Sequence, residues 1–240
     1  MHSSGPEELP ARTRNSHELE VVRRLLDGRY SCRAFRSEPV SRDVIEKILA
    51  SAQRTASWCN SQSWHVAITE GEGTERLKRV LHEHASKEEA QEPDFAFPHE
   101  YRGVYLDRRR ESGFQLYGAL GIERGDKAAY TRQTLENFRL FGAPHVAIIT
   151  TDEALGVYGA IDCGCYVSNF LLAAHASGVA TIPQAALSSY AKVVRRELSL
   201  GVDRKMVCAI SFGYAAEEHP ANSYRTNRAP LEESVRWISV

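Results

Sequence analysis

The sequence predicts a single α+β domain whose central sheet is covered by helices. Three observations lead there. Amphipathic helical stripes are interleaved with apolar runs of strand length. Met206 to Tyr214 is a near-continuous apolar run, the pattern of a strand inside a sheet covered on both faces. Leu155 to Ser177 is helical in spacing and apolar nearly all round, as buried helices are. No repeat or linker divides residues 16–240, which read as one domain. Residues 1–15 are polar, carry no apolar signal core, and are expected to form a disordered tail.

The elements follow in order. Ser16 to Asp27 spaces Leu19, Val21, Val22, Leu25 and Leu26 as a helix, with Gly28 as its stop. Arg29 to Phe35 follows as extended chain. Ser41 to Arg54 carries the stripe Val44, Ile45, Ile48, Leu49, Ala52 of a second helix. His65 to Thr69 reads as a buried strand and Gly71–Gly73 as a turn. Thr74 is placed to cap a third helix bearing Leu77, Val80 and Leu81. From Ala85 to His99 the pattern dissolves into a polar stretch with Pro93 and Pro98, long enough to be read as a mobile lid. Tyr101 to Leu120 and Asp126 to Leu140 read as helices, and Pro144 opens a strand through Ile149. Gly178 ends the long apolar helix, Ala180 to Ile182 forms a short strand into Pro183–Gln184, and Tyr190 to Leu198 is helical. The tail after Ala215 is polar, then basic, and ends in Val235-Arg236-Trp237-Ile238.

Composition excludes several classes. The 240 residues carry 30 Lys and Arg against 31 Asp and Glu, a net charge of −1. Such a balance draws the chain neither to nucleic acid nor to acidic membranes. No apolar run approaches the roughly 18 residues expected of a membrane span. Five cysteines, an odd count without a disulfide framework, fit a reduced cytoplasm, and no secretion is expected.

Two motifs carry chemistry. In extended chain, residues two apart point to the same side, so Arg29, Ser31 and Arg33 face one ligand while Tyr30 and Cys32 face away. Two guanidinium forks and a hydroxyl so arranged are equipment for a phosphate. Asn60-Ser61-Gln62-Ser63-Trp64 sets two carboxamides between a helix and a strand, able to read the edge of a flat heterocycle. Two further segments support these. Arg225 and Arg228 form a second arginine pair near the C-terminus, where the tail could fold back onto the same phosphate. In Pro183-Gln184-Ala185, proline fixes the backbone and leaves the next two amides free to face a ligand.

Other patterns are weaker. Gly71-Glu72-Gly73-Thr74-Glu75-Arg76 opens a helix after a strand, but Arg76 stands where a dinucleotide fingerprint has its third glycine. Cys163 and Cys165 lack partners at zinc spacing and read as core thiols, and His82 and His84 read as surface, so no metal is expected. There is no Gly-x-Ser-x-Gly elbow and no phosphate loop of the ATPase type.

In order and spacing, the motifs resemble the nitroreductase family of FMN flavoproteins across about residues 17–237. Arg29, Ser31, Arg33 and Phe35 match its Arg-x-Ser-x-Arg-x-Phe opening. Asn60, Gln62 and Trp64 match its Asn-x-Gln-Pro-Trp motif, with Ser63 where the family usually has proline. Pro183–Gln184, Gly213–Tyr214 and Arg225 to Pro230 complete the set. Arg108 to Phe114 with Tyr117 is similar to the nitrobenzoate reductase branch.

The resemblance implies a nitroreductase-like fold, with a central mixed sheet, in an intertwined homodimer whose tail, residues 215–240, wraps the partner. It implies FMN, with NADH or NADPH as donor. The expected reaction is a ping-pong reduction of a small nitroaromatic, quinone or enone. Dehalogenation, flavin cleavage and flavin storage without turnover are other uses of the same scaffold.

By position, Arg29 and Ser31 should grip the phosphate with Arg225 and Arg228. Tyr30 should join the cofactor contacts, and Arg33 should lie at the pyrimidine end. Ser57 and Asn60 should approach from the second chain, Asn60 meeting the ring or ribityl, and Gln62 should join the cofactor contacts. Pro183, Gln184 and Ala185 should line the N5 edge. Arg108, Arg110, Phe114 and Tyr117 should border an anionic aromatic substrate. Of the adjacent arginines 108–110, at most one or two can face one pocket.

Overall fold

A computed structural model describes residues 11–239. Four strands form one sheet: β1 (Trp64–Thr69), β2 (His145–Asp152), β3 (Ala180–Gln184) and β4 (Arg204–Gly213). Their order is β1-β2-β4-β3, and every adjacent pair is antiparallel. Parallel pairing enters only at an isolated bridge between Ser31 and Thr181, among the described residues.

Alternation along β2 explains the two-sided core. Val146 and Ile148 face one way, against Leu77, Leu81, Phe138, Leu187 and Val194. Ala147 and Ile149 face the other, against Ile45, Ile48, Tyr166 and Phe170. The first face is covered by α3 (Glu72–Ser86), α5 (Lys127–Leu135) and α7 (Ala191–Glu197). The second is covered by α2 (Arg42–Ala52) and α6 (Gly156–Ala176). Helix α6 reaches the sheet closely because residue 159 has no side chain. A Cβ on Gly159 would stand 2.4 Å from Thr151 Oγ1.

Several expectations are corrected. Helix α1 (Ala11–Gly28) begins ahead of Ser16, and residues 1–10 of the expected disordered tail lie outside the described residues. Its stripe is half open in the single chain, with Leu19, Val22 and Leu26 each about half exposed. Strand β1 is a sheet edge rather than a buried strand, and its His65 is exposed. Thr74 does not cap α3, which starts from Gly71 at φ 53°. Its hydroxyl instead bonds Thr69 Oγ1 at 2.7 Å, tying the helix to β1. The helix expected over 126–140 gives way after Leu135 to a 3-10 turn, Glu136–Gly142, in which Leu140 and Phe141 take positive φ.

The polar stretch read as a mobile lid is fastened at its middle. Asp94, almost fully buried, pairs with Arg195 and accepts from Met206 N at 2.8 Å. It satisfies a backbone donor of β4 just beyond the end of β3. Glu92 N reaches Ser189 O at 2.8 Å beside it.

The long apolar helix also differs from its reading. By length and mean hydropathy alone, Glu153–Ala176 could cross a membrane, contrary to the expectation of no such run. A core helix passes the same test, and the inner face of α6, with Tyr166, Phe170 and Ala174, packs on the sheet. Its outer face leaves Val157, Tyr158 and Ile161 more than half exposed. Cys163 is a core thiol pushed up to about 12 by burial, whereas Cys165 is exposed.

His145 anchors the start of β2. Its Nε2 accepts from Val40 N at 3.0 Å, its Nδ1–H donates to Thr69 O at 3.2 Å, and its ring stacks on Phe212. Burial lowers its pKa, so the folded chain holds it neutral. The unfolded chain takes up a proton below about pH 6.5, which the folded chain resists. This contribution is therefore complete above that pH and is lost as pH falls toward the lower folded value. In thermal unfolding, the wild type should lose more stability between pH 7.5 and 5.5 than His145→Gln does. Equal losses would show that another group titrates.

Candidate functional site

The arginine signature is laid down as an extra edge of the sheet. Cys32 N donates to Thr181 O at 2.9 Å beside the Ser31–Thr181 bridge. Three residues on, Phe35 bridges Ala215 in the antiparallel sense, with Arg36 N on Tyr214 O and Ala216 N on Ala34 O. The segment thus runs from β3 to the end of β4. Cys32, Ala34 and Phe35 enter the core, while Ser31 and Arg33 stay half exposed on the other side. The predicted alternation holds there. Tyr30 departs from it: it lines the arginine cavity, and its ring supports the guanidinium of Arg225 at 3.7 Å.

That cavity, about 320 Å³, brings Arg29, Ser31 and Arg33 together with Arg225 and Arg228, and with Ser112 of α4 (Val104–Ala119). Asp27 is the one carboxylate on its wall. Among the described residues, none of the four guanidiniums has a carboxylate within ion-pair distance. Arg225 and Arg228 instead donate to carbonyls of their own tail. Burial first, and then the charge of Arg228, lowers the pKa of Arg29. Like charges held this close without a counter-charge favour a bound anion, and forked donors suit a phosphate.

The two arginine pairs meet because of Asn222, which sequence reasoning missed. It is buried, accepts from Arg33 N at 2.8 Å, and donates to Ala34 O and Ala216 O, each at 2.9 Å. A lone Asn between Pro220 and Arg225 gives little signal in a polar tail.

The Pro183-Gln184-Ala185 turn continues from Thr181 on the same edge. Pro183 stands two residues beyond the Ser31–Thr181 bridge, while Arg33 turns away from β3 and gives its N–H to Asn222. Gln184, however, is buried and spends its side chain internally. It donates to Asn137 O at 3.0 Å and accepts from Ser211 Oγ. Half-exposed Pro183, exposed Ala185 and the backbone are what the turn can offer a ligand.

Ser57, Asn60 and Gln62 do not line the arginine cavity of their own chain. They form a strained loop in which Cys59, Asn60 and Gln62 all have φ near +50°. Such non-glycine conformations cost of order 1 kcal/mol or more each and gather at functional sites. Asp162, a buried carboxylate on α6, holds the loop by accepting from Trp58 N at 3.2 Å and Ser61 Oγ at 3.4 Å. Ser63 Oγ lies 3.4 Å from the same carboxylate and 3.3 Å from Gly159 O. A side-chain hydrogen bond therefore stands in for the stiffness of the family's usual proline. Asp162 was also missed. Its signal was a single acid inside an apolar helix, since buried carboxylates need partners.

Of the expected substrate residues, Arg108 lines a cavity that adjoins the arginine cavity. With Glu111, Ser112 and Gln115 it forms one face of α4, lining a cavity of about 690 Å³ that shares Ser112, Thr226 and Arg228 with the arginine cavity. Glu233 pairs with Arg108 at 2.7 Å. Arg110, Phe114 and Tyr117 are not brought together with it. Phe114 lies under Arg124, and Tyr117 stacks on Tyr130.

Asn222→Ala would leave the Arg33 N–H without its partner and remove one of the two bonds at each of Ala34 O and Ala216 O, which keep Ala216 N and His219 N. It should destabilise the protein by about 2–3 kcal/mol in urea unfolding. An unchanged midpoint would mean that the tail is held elsewhere.

Comparison with known proteins agrees with this geometry. Residues 26–214 match the model of the nitroreductase family. The chain is 36% identical over 219 residues to "Nitroreductase NfnB" of Mycolicibacterium smegmatis, covering 91% of this chain and 93% of that protein. It is 31% identical over 201 residues to "4-nitrobenzoate reductase" of Pseudomonas putida, covering 84% and 88%. The crystal structure of the FMN-dependent nitroreductase NfnB from Mycobacterium smegmatis in complex with NADPH superposes with a TM-score of 0.88 at 35% identity, covering 92% of this chain and all of that one. An arginine edge beside a Pro-Gln turn, the sheet that carries both, and these likenesses over nearly the whole length together establish that the chain belongs to the nitroreductase family.

Proposed function

We propose that the protein is an FMN-dependent oxidoreductase that uses NADH or NADPH to reduce nitroaromatic compounds. One observation carries the reading: four guanidiniums converge on a small cavity with no paired carboxylate among the described residues, at the sheet edge that also bears the Pro183–Gln184 turn. Bound there, FMN supplies the two-electron relay between the nicotinamide donor and the acceptor. Arg29, Arg225 and Arg228 hold the phosphate, and the Ser31 hydroxyl donates to it. Arg33 keeps a positive charge near the pyrimidine end, where negative charge collects on reduction. The Pro183–Ala185 backbone orients the opposite edge. Names of the relatives support nitro acceptors. No observation favours flavin storage, dehalogenation or flavin cleavage.

The working unit is a homodimer in this reading. Support comes from the open apolar faces of α1 and α6, from exposed Trp58, and from exposed Trp237 and Ile238. Ser57, Asn60 and Gln62 then complete the partner's site. Residues 214–233 are tied to their own chain, through Asn222, Arg225, Asn227 and the Arg108–Glu233 pair, so the part of the tail that wraps the partner lies beyond them. A cytoplasmic location fits five unpaired cysteines.

Heat release of the cofactor, run against standards, should yield FMN, and FAD as the main species would overturn the reading. Anaerobic NADPH or NADH should bleach the flavin, and a nitroaromatic should restore it. Arg29→Ala should weaken FMN binding by about 1.5–3 kcal/mol. Occupancy unchanged after dialysis would place the phosphate elsewhere.

An anionic acceptor would meet Arg108, whose charge Glu233 offsets. Arg108→Gln should lower kcat/KM for 4-nitrobenzoate relative to 4-nitrobenzamide, Glu233→Gln should raise that ratio, and Arg110→Gln should leave it unchanged. Parallel changes for acid and amide would make Arg108 structural.

A further inference from the structure

One polar group at the arginine cavity has no assigned role. Tyr224 lines the cavity beside Arg33 and Arg225, yet its hydroxyl is shielded from solvent and, among the described residues, has no hydrogen-bond partner. A buried hydroxyl without a partner is unfavourable, and native chains keep such groups where a ligand, ion or water completes them. The surroundings fix what sort of ligand that is. The Arg33 guanidinium stands 6.0 Å from the Tyr224 ring centroid, and the Arg225 guanidinium of the next residue lies on Tyr30. Burial raises the pKa of Tyr224, so the phenol keeps its proton and can donate. The backbone that carries it is set by Asn222, two residues earlier, clamped to Ala34 and Ala216.

We propose that Tyr224 is a cofactor-positioning residue whose hydroxyl donates a hydrogen bond to the FMN phosphate, adding a neutral donor to the guanidiniums around it. The inference rests on the flavin reading above. A neutral donor adds direction where charge supplies attraction. Guanidiniums on flexible stems hold an anion in the cavity, whereas a phenol on a rigid ring fixes which oxygen points where. The bond reaches the phosphate and not the ring system, so its loss acts on FMN and spares riboflavin, which lacks the phosphate.

The test is titration of apoprotein with FMN and with riboflavin, followed by flavin fluorescence, for wild type and Tyr224→Phe. Tyr224→Phe should raise the Kd for FMN about tenfold, the loss expected for one hydrogen bond to a charged group. Its Kd for riboflavin should stay within about twofold, a factor worth well under 1 kcal/mol. The melting temperature of the apoprotein should not fall, since the hydroxyl makes no bond there. An unchanged Kd for FMN overturns the proposal, and so does equal weakening of both flavins. Tyr224→Trp, which keeps a ring but moves its donor, should behave as Tyr224→Phe does, and full FMN affinity in it overturns the proposal too. Wild-type apoprotein that binds no FMN would instead overturn the flavin reading itself.

Discussion

The pairing of residues 31–36 along the sheet edge is the constraint from which the site follows. Ser31 is locked to Thr181 at one end and Phe35 to Ala215 at the other, and the chain between has no freedom to slip. A shift of one residue would turn Arg33 into the core and Cys32 into the cavity. The side chains of Cys32 and Phe35 oppose that shift, since both are packed among the core residues of the first face. Hydrophobic burial therefore aims the charges, although it touches none of them.

The cost of this design falls on the cavity. Four guanidiniums share a small space, and burial with mutual repulsion already weakens the proton affinity of Arg29. An anion relieves that repulsion, so ligand binding and folding stability are linked. The loop at 57–63 shows the same economy with the opposite sign. There a buried carboxylate, Asp162, gathers backbone and hydroxyl donors and holds three left-handed residues in place.

Much of this was legible in the sequence. Apolar runs gave β2, β4 and α6 because a two-sided core requires them, and alternation gave the facing of Ser31, Cys32 and Arg33. What escaped reading depends on tertiary partners. Tyr30 turns toward the cavity because Arg225, nearly two hundred residues away, lies on its ring. Gln184 looks like a ligand reader, but Asn137 and Ser211 claim its amide. Asn222 and Asp162 make their bonds across long separations, which no local pattern encodes. In the arginine triplet, helical geometry limited the choice, but only the packing of α4 against the tail selected Arg108.

The arginine cavity draws on both ends of the chain, from Arg29 at the close of α1 and from Arg228 in the tail. During synthesis the sheet can be complete while half of the arginine cavity is still unmade. A nascent chain thus has its strands before it has this cluster of positive charge, and closing the cavity becomes a late event in biogenesis. The complete cluster of guanidiniums then belongs only to chains that include Arg228, which sets them apart from chains that stop short of it.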